Sequence, residues 1–431
     1  MSRLNPTKPP GKPRISAKGF SIFLITGILL FCFTQGRLFP ITDKLVKLGN
    51  ETFLTQISPA LKGKVLGLVV NHTSALPSGK SLVQALLDKG HDIQAIFSPE
   101  HGFTGAVEAG KVVKNSELKD ITIYSLYGET RKRKPTHEQM EGIDLLIYDI
   151  QDVGARFYTY ITTLKYILEA AAEAQIPVYV LDRPDPVGGE IVEGPLMIPE
   201  FESFIGALPL PIRYGLTPGE LAMMMKGEKW VPPGFDLHVV RMKNWKRRFF
   251  WKDTGLLWIP TSPNMPSPEA AILFPGSSFL AAIQLNEGGG TTQPFLQFGA
   301  PWLKPLSLMN SLNGGQEFGV ELEAIKYTPR SLPGKVLHPI YENRPCNGIR
   351  VHINQPEKLF SVRFGLEIIR LVQEEWPDKI SFKAFDLNRM FGNELLSRFL
   401  EGNISYETLI SRMIEEEEIF KQKRQKYLLY E

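Results

Sequence analysis

Four short polar stretches hold most of the residues able to do chemistry in this 431-residue chain, and each follows an apolar run. Asn71-His72-Thr73 follows Lys64–Val70 (KVLGLVV), and Ser98-Pro99-Glu100-His101-Gly102 follows Ile93–Phe97. Asp149, Gln151, Asp152 and then Arg156 lie at and beyond the end of Asp144–Ile150 (DLLIYDI). Asp182-Arg183-Pro184-Asp185 follows Val178–Leu181. In an open α/β sheet, ligands bind in the crevice outside the carboxyl ends of the strands. Acids, amides, imidazoles and a guanidinium at four strand ends therefore predict one polar pocket.

Glu100 is the leading catalytic candidate. Proline fixes the backbone before it, and His101-Gly102 follows. A carboxyl beside an imidazole in a partly dry cleft can be tuned for proton transfer. Asp152 is the candidate second carboxyl, with Asp149 competing for that role. Structural readings stand beside these. Glu100 could cap the following segment or pair with Arg156, and Asp182 with Arg183 reads equally as substrate-positioning groups or as a local ion pair. Other chemistries lack their signatures. No GxGxxG follows a strand, no GxSxG elbow occurs, and no HExxH pair occurs. A metal site would rest only on scattered His72, His101, Asp149 and Asp152, so neither a metal nor a cofactor is expected.

These stretches need elements to hold them. Apolar β-branched runs at Lys64–Val70, Ile93–Phe97, Ile121–Ser125, Asp144–Ile150 and Val178–Leu181 read as buried parallel strands. Helical spacing appears over Ser81–Lys89 and over Tyr158–Ala174, where Ile161, Leu164, Ile167, Leu168 and Ala171 share a face. Thr217-Pro218-Gly219-Glu220 is a capping box opening another helix, and Leu237–Val240 reads as a further strand. The alternation predicts an α/β fold with a doubly wound parallel sheet. Pro-rich Ile259–Pro268 marks a domain boundary. A terminal helix over about Tyr406–Lys426 allows an exposed Glu417–Lys421 pair. Lys243–Lys252 (KNWKRRFFWK) interleaves cations and aromatics; it suits stacking on sugars or an anionic glycan, or equally a hairpin with its aromatics inward.

Length alone favours two domains. A net charge of +3 gives no reason to expect nucleic acid as partner. Two cysteines, Cys32 and Cys346, exclude a disulfide framework and a Cys-rich zinc site. Residues 1–18 carry five basic residues and no acidic one, and Gly19–Phe33 is apolar apart from Ser21 and Thr26. That is the shape of a secretory signal or a single membrane anchor, directing the chain to the cell envelope, either periplasmic or held in the inner membrane.

At these motifs the chain resembles the exo-β-N-acetylmuramidases of the NamZ type. The matching stretches are GLVVNHTSA from Gly67, SPEHGFTG from Ser98, LYGETRKRKPT from Leu126 and YDIQDVGARFYTYITTL from Tyr148. They continue with DRPDPVGGEIVEGP from Asp182, RYGLTPGELA from Arg213, SPNMPSPEAAILFPGS from Ser262, NEGGGTTQPFLQFGAPW from Asn286 and the C-terminal KYLLY. The likeness implies a Rossmann-like catalytic domain over 46–262, after a leader over 1–45, and a smaller C-terminal α/β domain over 263–431 that closes the cleft. It also implies release of non-reducing terminal N-acetylmuramic acid from peptidoglycan-derived glycans or muropeptides. The family glutamate maps onto Glu100, with His101 and Asp152 as its expected catalytic companions. Asn71, His72, Gln151, Arg156, Tyr158, Asp182, Arg183, Asn264 and Glu287 are the expected substrate-binding residues. Gly289 and Thr104 stand where the family usually has arginine, a departure bearing on how the lactyl carboxylate would be read. A metal-assisted hydrolase and a non-catalytic glycan-binding protein remain the rival readings.

Overall fold

The computed structural model describes residues 45–128 and 133–431. The expected signal or anchor segment, and residues 129–132 of the LYGETRKRKPT stretch, lie outside the described residues. Among the described residues no helix is long and apolar enough to cross a membrane.

Seven strands form the main sheet: β1 (Val65–Val70), β2 (Asp92–Ser98), β3 (Ser116–Leu118), β4 (Ile121–Ser125), β5 (Leu145–Asp149), β6 (Val178–Leu181) and β7 (Leu237–Val240). Their spatial order is β3-β4-β2-β1-β5-β6-β7, with every pairing parallel except β3 against β4. β3 had no counterpart in the sequence reading, because three partly exposed residues leave no periodic signal.

Side chains alternate across the sheet as the pleat requires. On one face Leu66, Leu68, Val70, Leu145 and Ile147 meet the helix Leu82–Asp88. On the other, Val69, Leu146, Tyr148, Val178 and Val180 meet the helices Tyr160–Ala174 and Pro218–Gly227. Ile161, Leu164, Ile167, Leu168 and Ala171 are all buried there, as their spacing predicts. The sheet is thus covered on both sides, which is why its central strands are apolar along their whole length.

The C-terminal part holds an antiparallel sheet ordered β8-β10-β9, from β8 (Gln297–Ala300), β9 (Val320–Tyr327) and β10 (Cys346–Ile353). Against it pack the helices Pro268–Ala282 and Ser361–Glu375, which approach so closely that a Cβ on Gly276 would lie 1.8 Å from the Ser361 carbonyl oxygen. No side chain fits that crossing. Phe279, Phe298, Ile349, Phe391 and Phe420 belong to the same apolar core as Tyr160 and Leu164, so the core runs unbroken past the Pro-rich stretch.

The terminal helix Tyr406–Arg424 departs from its expected pairing. Glu417 is buried, accepts the Gly194 N–H at 2.9 Å and pairs with Arg363, while Lys421 pairs with Glu418 at 3.7 Å. Its acidic run is therefore only partly a solvated face. One turn of it docks on the first sheet's loops, which sequence charge alone does not reveal.

Candidate active site

Connections from β1 run to one side of the sheet, to β2, and those from β5 run to the other, to β6. The strand order reverses between β1 and β5, and a crevice opens outside their carboxyl ends. The turns carrying Asn71, Glu100 and Asp152 leave β1, β2 and β5 at that end of the sheet.

Glu100 is buried two residues past the end of β2. Its Oε1 accepts the Gly110 N–H at 2.8 Å, and its Oε2 accepts the Thr159 hydroxyl at 2.6 Å. Thr159 precedes the helix Tyr160–Ala174 in a helical backbone conformation, makes no capping bond, and so has its hydroxyl free for the carboxylate. The Tyr127 hydroxyl also bonds Glu100; burial and then the charge of Glu100 push its pKa up. The Arg133 guanidinium lies 3.4 Å from the centre of the Tyr127 ring. The structural alternative of a Glu100–Arg156 pair is not what the fold adopts.

The two imidazoles face the same region. His101 adopts a positive φ of 69° and donates from Nδ1 to the Val107 carbonyl at 2.7 Å. Its ring meets Tyr160 edge-on at 6.4 Å between centroids. His72 donates from Nε2 to the Pro260 carbonyl at 2.6 Å, while its Nδ1 is buried without a partner. Burial holds the pKa of His72 below the usual histidine value, and the nearby His101 pushes the same way. The His72 ring packs against Gly105, where an added Cβ would come within 1.8 Å of Cε1 and where φ is 68°. Only glycine suits that position.

Asn71 donates to the Tyr160 hydroxyl at 3.1 Å, and its Oδ1 accepts the Thr73 N–H and hydroxyl at 2.9 and 2.6 Å. Tyr160 in turn donates to the Thr261 carbonyl at 2.6 Å, and Tyr158 to the Thr261 hydroxyl at 2.8 Å. The Pro-rich stretch read as a boundary is thus also a wall of the crevice. Asn264 extends this wall by donating to the Lys335 carbonyl at 3.2 Å. The Leu337 N–H reaches Glu108 at 3.1 Å, and the Arg330 N–H reaches the Gly290 carbonyl at 2.9 Å. The loop between β9 and β10 therefore links the Glu100 turn to the turn holding Glu287. Beside Asn71 and His72, a cavity of about 370 Å³ is lined by Phe103 and Thr104.

Asp152 is buried. Its Oδ2 accepts the Gly154 N–H at 2.8 Å and the Tyr214 hydroxyl, and its Oδ1 has no partner. Burial pushes its pKa up to about 7. Gln151 donates to the carbonyls of Asp152 and Pro184 at 2.9 and 2.8 Å, leaving its own Oε1 buried and unbonded. Glu287 is half-buried, and burial raises its pKa. A Cβ on Gly289 would lie 2.6 Å from Glu287 Oε1.

Three expected substrate-binding residues are taken up by the fold instead. Arg156 is fully buried and donates to four carbonyls, those of Pro195, Leu210, Met390 and Phe391, at 2.6–3.1 Å. Arg183 pairs with Asp149 at 2.5 Å, and Asn50 bonds the same carboxylate at 3.1 Å. Asp149, the competing second carboxyl, is thus held by partners within the fold. Asp182 accepts the Gly219 N–H and the Thr217 hydroxyl, each at 2.8 Å, and the Tyr430 hydroxyl. It caps the helix Pro218–Gly227 and holds the chain's last residues. These bonds tie all three side chains into the fold. The four residues of the scattered metal reading are likewise apart in function, and among the described residues no three His, Cys, Asp or Glu gather as a metal-binding group.

Sequence reasoning passed over Tyr127, Thr159, Tyr160 and Thr261. The one available signal was position: Thr159 and Tyr160 sit where the turn after β5 enters its helix, the place from which side chains point into such a crevice.

Residues 66–269 match the family described as exo-beta-N-acetylmuramidase NamZ, N-terminal, and residues 272–430 match its C-terminal counterpart. The chain is 37% identical over 389 residues to peptidoglycan beta-N-acetylmuramidase NamZ of Bacillus subtilis (strain 168), covering 89% of this chain and 91% of that relative. The crystal structure of a DUF1343 family protein from Bacteroides fragilis NCTC 9343 superposes with a TM-score of 0.81 at 33% identity, over 90% of this chain and 100% of that one. A second DUF1343 structure from the same organism gives a TM-score of 0.73 at 32% identity, over 90% and 99%.

Proposed function

The chain belongs to the NamZ family of exo-β-N-acetylmuramidases, and from that membership we propose that Glu100 is the acid/base with which it cleaves terminal N-acetylmuramic acid from peptidoglycan fragments. The enzyme is a glycoside hydrolase acting on the β-linkage at the non-reducing end. The observation that carries the role of Glu100 is its setting: a carboxylate at a strand's carboxyl end, held by Thr159, Gly110 and Tyr127 beside the imidazole of His101. Glu100 gives a proton to the glycosidic oxygen as the bond to C1 breaks, then takes one from the water that completes hydrolysis. His72, Asn71, Tyr158, Asn264 and Glu287 are the proposed sugar contacts, since each lies on the crevice turns or on the loops bonded to them. The basic flank and apolar run before residue 45 direct the enzyme to the cell envelope.

Asp152 fills the second-carboxyl role in the simplest form of this mechanism. Its burial favours a variant in which the substrate's N-acetyl group is the nucleophile and Asp152 only shapes the floor. One set of assays separates these. With a chromogenic β-N-acetylmuramide, Glu100→Gln should lose ~10²–10⁴-fold in kcat with an unchanged melting temperature. Activity within a few-fold of the parent would remove Glu100 from the mechanism. A comparable loss in Asp152→Asn supports two carboxyls; a loss under roughly tenfold supports participation by the N-acetyl group.

A further inference from the structure

The basic-aromatic segment Lys243–Lys252 lies outside the crevice. Trp245 is buried with Val46 and Met242 in a small cluster of its own, against which Phe249, Leu256 and Tyr430 pack. The cations stay outside: Lys243, Lys246, Arg248 and Lys252 are exposed. Lys47 joins the same face, because Lys47 and Lys243 exchange backbone hydrogen bonds at 3.0 and 2.9 Å. Among the described residues, none of these five cations has a carboxylate within ion-pair distance. Glu190 and Glu357 line a groove with Arg248 and Lys252; two further acids, Asp253 and Glu431, bond the segment itself. The first accepts the Phe250 N–H at 3.0 Å, and the second accepts the Arg247 N–H through its backbone carbonyl at 2.8 Å.

Two leucines project from this basic face. The Val46 N–H bonds the Thr254 carbonyl at 3.2 Å, which brings Leu45 against Gly255, and Leu257 follows two residues on. Leu45 is 44% exposed, and Leu257, at 86%, is the most exposed large apolar side chain among the described residues. Exposed leucines among unpaired lysines and arginines suit an interface with both an apolar layer and negative charge. A bilayer of anionic lipids has both.

The position of the face in the chain points to the same partner. In sequence, Leu45 and Lys47 follow the apolar run Gly19–Phe33 by about a dozen residues, and five basic residues without an acid precede that run. We propose that this face rests on an anionic phospholipid surface and sets the orientation of the enzyme on it. The inference takes from the envelope reading that residues 19–33 enter the membrane. The stretch from Phe33 to Leu45 can then span no more than ~40 Å, so the tether raises the local concentration of the enzyme at the surface, and the contact itself falls to the cations and the leucines.

The test uses the full chain with Leu257→Cys, in a background of Cys32→Ser and Cys346→Ser, labelled with an environment-sensitive fluorophore. It is reconstituted with vesicles of phosphatidylglycerol and phosphatidylcholine, or of phosphatidylcholine alone, each with and without doxyl-quencher lipids. The expected result is a blue-shifted label, quenched roughly two-fold in anionic vesicles and released by high salt or by Lys243→Glu/Lys246→Glu. Turnover of a soluble muramide, unchanged in these variants, verifies the fold. Flotation reports the apolar segment separately. A chain that floats while its label stays water-like overturns the face and leaves the anchor standing; a chain that neither floats nor shifts overturns both. Equal quenching in neutral vesicles also overturns the face, since the tether alone would then explain it. A spectral change with soluble peptidoglycan fragments but not with vesicles overturns it in favour of glycan binding.

Discussion

Glu100 meets three donors, and each comes from a different connection: Gly110 from the turn after β2, Tyr127 from beyond β4, and Thr159 from beyond β5. The carboxyl orientation thus depends on three strands keeping register. Thr159→Val should keep the fold, because the hydroxyl caps nothing, and should cost ~10-fold in kcat, the value of one charge-assisted hydrogen bond. An unchanged kcat would show that the bond does not orient the acid. Gly289 invites the opposite experiment. An arginine there would meet the Glu287 carboxylate before any substrate, since even its Cβ falls 2.6 Å from Oε1. Gly289→Arg alone should therefore shift the preference for muramide over glucosaminide little. Gly289→Arg with Glu287→Gln frees the guanidinium, and should raise that kcat/KM ratio ~5-fold or more by pairing with the lactyl carboxylate. Equal changes for both sugars would mean that this position does not read the lactyl group.

Among the elements, buried charged side chains bind the loops to each other. Arg156 joins the turn after β5 to the carbonyls of Met390 and Phe391, more than two hundred residues away in the chain. Arg424, from the end of the terminal helix, donates to the carbonyls of Gly189, Tyr214, Gly215 and Glu190. Replacing such an arginine leaves several carbonyls buried without donors. Arg156→Met should lower stability by ~3 kcal/mol or more and lose activity only in proportion to unfolding. Denaturant titration beside kinetics checks this: a raised KM at full stability would restore Arg156 to the substrate-binding set. Its own pKa is lowered to about 9 by burial, still well above neutral pH, so it stays charged as it does this work.

For the molecule as a whole, the buried acids set a pH dependence. Burial pushes Asp152, Asp182 and Glu417 up to about 7 and Asp185 up to about 6. The folded state binds these protons more tightly than the unfolded chain does. Their stabilising contribution is complete below the unfolded carboxylate range near pH 4 and is lost as pH rises through 6 to 7. His72 and His91, whose pKa values are lowered by burial, work in the opposite direction over the same window, but they are two groups against four. The melting temperature should therefore fall by several degrees, ~2–5 °C, from pH 5 to pH 8. Asp185→Asn should flatten that slope. A melting temperature that rises over this interval would contradict the assignment.

Local signals sufficed wherever a residue's role follows from its near neighbours in sequence. β1, β2 and β4–β7 were legible because buried parallel strands are continuous apolar runs, and the Thr217–Glu220 capping box forms as its spacing requires. The strand-end clustering of Asn71, Glu100 and Asp152 was legible for the same reason, and the motif stretches carried the family. What a polar group at a strand end bonds to is a different matter, since its partner can lie anywhere in the chain. Sequence left Asp182 and Arg183 undecided between substrate and ion pair. The fold gave Arg183 to Asp149, and gave Asp182 to Thr217, Gly219 and Tyr430, the last of these 248 positions away. Thr159 and Tyr127, silent in sequence, became the partners of Glu100 because β4 and β5 deliver them there. Hydrophobic periodicity is written along the chain, whereas the pairing of buried polar groups is fixed only when distant segments are packed together and each must find its partner away from water.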